Sequence, residues 1–161
     1  MRSWKIHLTI ESRALGVSAN YIRSITQQIL MHAENDIVPE SICELHILLT
    51  NDEKMRELNL EFRDKNKTTD VLSFPQFEKN ELNGSSMPQD SLNSYLGDLV
   101  ISTETTLLQA KKFEVSKEQE LLRLLVHGIL HLCGYDHENV PTAEAQRMRR
   151  KESKIRKLVS I

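Results

Sequence analysis

Apolar residues recur along the chain with two different spacings. Trp4, Ile6, Leu8 and Ile10 alternate with Lys5, His7 and Thr9, the period of two that turns one side of a strand toward a core and the other toward solvent. Cys43, Leu45, Ile47 and Leu49 repeat that alternation. A short apolar run, VLSF, is stopped by Pro75, which has no N–H to give to a sheet, and LGDLVIS from Leu96 to Ser102 predicts a fourth strand.

The intervening segments follow the helical period. Ser18 can cap a helix with Tyr21, Ile22, Ile25, Ile29 and Leu30 on one face, which runs until the polar stretch near Asn35 to Pro39. Asn51 can cap a second, with Met55, Leu58 and Phe62 facing inward, and Ser102 or Thr103 a third, from about Thr103 to Phe113. Ser116 and Gln119 form a capping box before Leu121, Leu122, Leu124, Leu125, Val126, Ile129 and Leu130, and apolar residues nearly all round predict a central, buried helix. A last helix starts at or near Pro141 and carries Ala145, Met148, Ile155 and Val159. Residues 75–94, polar with two prolines and a glycine, show no sustained period and read as a surface loop, either a lid or disordered.

Strands and helices alternate through the first two thirds of the chain, and helices dominate the remainder. That order predicts an α+β (mixed α/β) fold: a single domain over residues 1–161, with a small four-stranded mixed sheet packed by helices around the central buried helix. The pattern leaves strand order open. At 161 residues with 39% apolar side chains, one domain can bury its core without disulfides, and Cys43 and Cys133 read as buried thiols. The amino-terminal residues lack the apolar stretch of a secretory signal, and no segment approaches the roughly 18 apolar residues of a membrane span. A soluble, cytoplasmic protein without membrane contact is the expectation.

Charge adds one asymmetry. The formal net charge is −2, but residues 147–161 hold seven Lys or Arg against one Glu, leaving −8 elsewhere. A cationic last helix suits a polyanionic partner, although cations near a helix carboxyl end also satisfy its dipole.

Chemistry concentrates in the run HGILHLCGYDH, which holds His127, His131 and His137. Four residues advance a helix by about 400°, so His127 and His131 share a face, at the carboxyl-terminal end where the dipole favours a cation. Gly134 suits a left-handed turn that lets the chain double back and bring in His137 as a third ligand. Three nitrogen ligands and an open fourth position describe a catalytic zinc site rather than a closed structural one. Cys133 lies about 200° round the helix from His131 and is poorly placed to be a fourth ligand. His7, His32 and His46 occupy unrelated positions in strands and a helix and read as ordinary residues.

The spacing matches the metzincin proteases, whose pattern is HExxHxxGxxH, but Gly128 stands where their general-base glutamate would be. Losing a positioned proton acceptor typically costs on the order of 10²- to 10⁴-fold in rate. The full string resembles a narrower group, the YbeY endoribonuclease family, with its HGxLHLxGYDH pattern. Phe62 and Arg63, followed by Thr69, Asp70, Val71, Leu72, Ser73, Phe74 and Pro75, are similar to that family's (Y/F)R...T(D/N)VLSFP segment, and Gly97 to Ser102 to its GDIxIS strand. The resemblance covers residues from about 40 to 140.

The resemblance implies that His127, His131 and His137 hold one zinc ion and that Arg63 is catalytic. It further implies a single-strand-specific endoribonuclease that matures ribosomal RNA, including the 3′ end of the small-subunit RNA, and serves ribosome quality control. RNA, as ribosomal RNA or the small ribosomal subunit, is then the partner; the oligomeric state is not legible. Asp136 is equally suited to support a histidine or to shape a turn, and Asp98 to a structural or a substrate-side role. Two rivals stand beside this reading: a metal-dependent protease or amidase on a metzincin-like scaffold, and a non-catalytic ribosome- or RNA-binding module whose metal only fixes the fold.

Overall fold

The computed structural model describes residues 3–33, 41–78, 82 and 95–161. In chain order the elements are β1 (Lys5–Ile10), α1 (Ala19–Ala33), β2 (Glu44–Thr50), α2 (Asp52–Arg63), β3 (Val71–Pro75), β4 (Tyr95–Ser102), α3 (Thr103–Lys112), α4 (Lys117–Leu132) and α5 (Thr142–Leu158). Four strands form one sheet in the order β1-β2-β4-β3, with β1, β2 and β4 parallel and β3 antiparallel to β4. The fold is the expected α+β arrangement with a mixed sheet. β4 is flanked on both sides and buried almost throughout, as its near-continuous apolar run requires. Pro75 ends β3, an edge strand, where a missing N–H is tolerated.

One face of the sheet carries the main core. Leu45, Ile47, Leu49, Leu99 and Ile101 meet Ile22, Ile25 and Ile29 of α1 and the apolar residues of α4, all fully or nearly fully buried. α4 is the central helix the pattern predicts: it packs on α1, α3, α5, β3 and β4. Ser116 accepts the N–H of Gln119 while the Gln119 side chain accepts that of Ser116, so the capping box is closed in both directions.

Among the described residues, α2 is the one helix on the other face. Met55, Leu72 and Val100 form a small second core there, with Leu48, Leu58 and Phe74 half-buried around it. Phe62 departs from expectation. At the last turn of α2 it is 57% exposed, resting edge-on against Phe74 with ring centroids 5.2 Å apart, because no other described element covers the end of α2. Most of the predicted 75–94 loop lies outside the described residues, although Leu82 within it is buried in the main core.

A hydroxyl cluster ties α2 to the β4–α3 junction. Asp52 Oδ1 accepts hydrogen bonds from Ser102 Oγ (2.5 Å), Thr105 Oγ1 (2.5 Å) and Thr68 Oγ1 (3.1 Å), while the Asp52 N–H donates to Glu104. Burial opposes ionisation of Asp52, but the three hydroxyl donors outweigh it and hold the carboxyl below its usual range. Asp52→Ala is expected to cost about 2 kcal/mol in urea unfolding at neutral pH. A carboxyl depressed in the native state stabilises fully above the unfolded value of about 3.9 and less as pH falls toward the native one. The gap between wild type and variant should therefore close below about pH 4; a gap independent of pH would show that ionisation of Asp52 is irrelevant.

Candidate metal centre

α4 ends at Leu132, and the chain then makes the turn that builds the site. The N–H groups of Gly134 and Tyr135 bond back to the carbonyls of His131 and Leu130, both at 3.0 Å, and Gly134 takes φ +94°, a left-handed value that favours glycine. Asp136 Oδ1 then accepts the N–H of His137 at 2.7 Å and of Glu138 at 3.1 Å. Burial raises the Asp136 carboxyl, yet these two donors and the neighbouring histidines bring it below its ordinary value. Of the two roles considered for Asp136, shaping the turn is the one its bonds display.

The turn returns His137 to the face of α4 that carries His127 and His131. Nε2 of His127 lies 3.2 Å from Nε2 of His131 and 3.3 Å from Nε2 of His137, and the three ring centroids are 4.7–4.9 Å apart. Zinc–nitrogen bonds of about 2.0–2.1 Å at tetrahedral angles require N···N edges of about 3.3–3.4 Å; the two edges that meet at His127 match this, and all three ligand atoms lie within 4.8 Å of one another. This trio is the one group of three or more His, Cys, Asp or Glu among the described residues with ligand atoms close enough to share a metal. Cys133 is buried and outside it.

Protonation favours the same use. Burial, with His127 and His137 close by, lowers the His131 pKa, so its ring is neutral near pH 7. Nδ1 of His127 meets Glu152 Oε1 at 2.6 Å. The carboxylate can only accept, which places the proton on Nδ1 and leaves the Nε2 lone pair facing the other rings. Burial disfavours ionised Glu152, but the bond to His127 and the nearby imidazoles prevail and its carboxyl sits low.

Glu152 was not singled out by sequence reasoning. Its signal was present: it is the one acidic residue among seven cations between 147 and 161. What put it beside His127 is the packing of α5 on α4, which periodicity does not reveal.

The imidazoles open into a cleft of about 640 Å³ that Arg63, Asp70, Ser73 and Asp136 also line. Arg63 ends α2, just before Asp64 takes a left-handed cap at φ +56°, and its Nη2 donates to the Ser73 carbonyl at 3.0 Å. One donor is thereby anchored and the others remain for a ligand. Gly128 packs under β3: a Cβ there would come 2.6 Å from Leu99 Cδ2 and 3.3 Å from Ser73 Oγ.

Asp98 is not in this cleft. It sits 3.8 Å from His46 on the opposite face of the sheet, beside a groove that includes Phe62 and Phe74. His46 also packs against His7, the rings tilted with centroids 4.4 Å apart, and His7 bonds Glu44 at 3.0 Å, so these histidines are structural neighbours of one another and not of the trio.

Fold and site define a class: an α+β domain with an open-sided three-histidine centre able to hold a metal. The model of the family described as Endoribonuclease YbeY matches residues 7–160. The chain belongs to the YbeY endoribonuclease family, a family of hydrolases. A relative called Endoribonuclease YbeY from Thermodesulfovibrio yellowstonii is 45% identical over 69% of this chain and 64% of its own length. Another of that name, from Agrobacterium fabrum, is 37% identical over 96% of this chain and 90% of its own. The solution structure of TM1509 from Thermotoga maritima shares the fold, with a TM-score of 0.61 at 24% identity over 95% of this chain and 87% of that one. Among the described residues, no helix is long and apolar enough to cross a membrane.

Proposed function

We propose that this chain is a zinc-dependent, single-strand-specific endoribonuclease that acts in the cytoplasm on ribosomal RNA, including the 3′ end of the small-subunit RNA, and in ribosome quality control. The observation that carries this reading is the convergence of three Nε2 atoms, those of His131 and His137 lying 3.2 and 3.3 Å from that of His127, in one cleft with Arg63. His127, His131 and His137 would hold the ion. When bound, zinc supplies Lewis acidity toward a phosphoryl oxygen and acidifies water to a pKa of about 7, which offsets the missing glutamate.

The protein's own groups account for the rest. Phosphodiester cleavage gathers negative charge on the non-bridging oxygens, and a guanidinium meets that charge with a planar fork of donors. Arg63, held by Ser73, enters the cleft with its fork oriented before substrate arrives. Arg63→Lys keeps the charge and loses the fork; RNA cleavage is expected to fall about 10²-fold with zinc content unchanged. Unaltered turnover would remove Arg63 from the chemistry. Glu152 is a positioning residue that orients His127. Glu152→Gln should weaken zinc binding about 10- to 100-fold in a competition titration with a chromogenic chelator, and an unchanged affinity would contradict that role.

The defining experiment incubates the metal-assayed protein with structured ribosomal RNA, beside chelator-treated and His131→Ala samples. Chelator-sensitive cleavage in unpaired regions supports the proposal. Equal cleavage of DNA would exclude attack by the RNA's own 2′-hydroxyl, and peptide cleavage in place of RNA cleavage would favour a protease.

A further inference from the structure

We propose a second RNA-binding subsite, outside the histidine cleft, in the groove between the α3–α4 junction and the carboxyl-terminal half of α5, where a nucleobase of the flanking strand stacks on Phe113 while Arg156 and Lys157 hold its phosphates. The proposal rests on the endoribonuclease reading and adds where the substrate strand runs.

Phe113 caps α3 and is 51% exposed, although a large apolar core lies nearby. It forms part of a groove of about 640 Å³ whose apolar lining includes Val115, Leu122 and Ile161. The aromatic ring lies within 5.8 Å of both Lys112 Nζ and the guanidinium carbon of Arg123. An exposed ring set among cations is the combination that binds single strands without regard to sequence, because every base offers a π-face and every linkage a charge.

The electrostatics select an anion. Glu120 is the one acidic residue among the described residues that line the groove; it is 1% exposed, and its carboxylate is taken by Arg123 and Gln109. Arg156 and Lys157 are exposed, and neither has a carboxylate partner among the described residues. The groove is therefore cationic where solvent reaches it.

Continuity with the histidine cleft selects RNA over an acidic peptide. Arg123 forms part of the groove wall, and its Nη2 lies 3.6 Å from Oδ2 of Asp70, which lines the cleft. A strand leaving the cleft over the Asp70–Arg123 pair arrives at Phe113. Arg156 and Lys157, which do not line the histidine cleft, thereby acquire a place on the substrate path.

The test uses the full chain and 2′-O-methyl oligouridylates, which lack the 2′-hydroxyl nucleophile and are checked to be intact after each titration, in lengths from about 3 to about 12 nucleotides. Anisotropy titrations of the wild type should show affinity rising with length. Phe113→Ala should weaken the longest oligonucleotide about 10-fold and leave the trimer unchanged. Phe113→Trp should restore the loss, whereas Phe113→Leu, which keeps apolar bulk without a stacking face, should not. The pair Arg156→Gln and Lys157→Gln should reduce the salt slope of the longest oligonucleotide by about 1.4, two phosphate contacts at about 0.7 each. Wild-type behaviour at every length in these variants, or rescue by leucine, would overturn the subsite while RNA binding itself stood. A polyglutamate peptide whose binding alone depends on these residues would assign the groove to a protein and overturn it too. A wild type that binds no oligonucleotide would overturn the endoribonuclease reading as well.

Discussion

His131→Ala is expected to yield a folded protein that has lost its zinc and cleaves RNA at least about 10³-fold more slowly. Two nitrogen ligands remain on a half-open cleft, too few to hold the ion against solvent at ordinary concentrations. The fold should survive because the apolar contacts of α4 come from Leu121 to Leu132 and do not pass through the imidazole. Metal analysis, far-ultraviolet circular dichroism and a cleavage assay on one preparation decide the matter. The rival in which the metal only fixes the fold predicts unfolding with zinc loss. A folded, zinc-free variant that still cleaves RNA would refute the assignment of the trio as the reactive centre.

Gly128→Glu, which would restore the metzincin pattern, is expected to prevent folding instead of creating a protease. The first atom of any side chain there would stand 2.6 Å from Leu99 Cδ2 and 3.3 Å from Val71 Cγ2. The carboxylate would be driven between α4 and the sheet with no partner, a penalty of several kcal/mol on top of the overlap. Gly128→Ala isolates the steric part. Overpacking of about 1–3 kcal/mol is opposed by a gain of about 1 kcal/mol in helix propensity, so a net loss of up to about 2 kcal/mol is expected. Thermal unfolding of both variants tests this; a Glu variant as stable as wild type would mean that α4 can lift from β3. The glycine is thus a packing requirement, and any proton acceptor must come from elsewhere in the cleft.

Much of the site was legible because its information is local. The i, i+4 histidines, the left-handed Gly134 and the Asp136 turn lie within eleven residues, and backbone geometry over that span leaves few ways to arrange them. Helix limits were equally accessible, since Ser116, Asn51 and Ser102 accept the N–H of the residue three positions on, and Gln119 reaches back to that of Ser116. Phe62 is exposed against the helical period for the opposite reason. Helical period says which side of α2 faces the sheet, but not that the sheet face runs out before the helix does.

Glu152 and the position of Asp98 show the same limit. Glu152 reaches His127 across 25 positions, and Asp98 falls on the far face of the sheet because Gly97 and the register with β3 and β2 direct it there. By itself the chain determined its elements, its buried central helix and the three imidazoles that converge, since each depends on spacings of a few residues. Only the tertiary structure decided the order β1-β2-β4-β3, the carboxylate behind His127, the close fit around Gly128 and the route from the cleft to Phe113. These depend on contacts between segments distant in sequence, which are set by how whole faces pack and not by any local period.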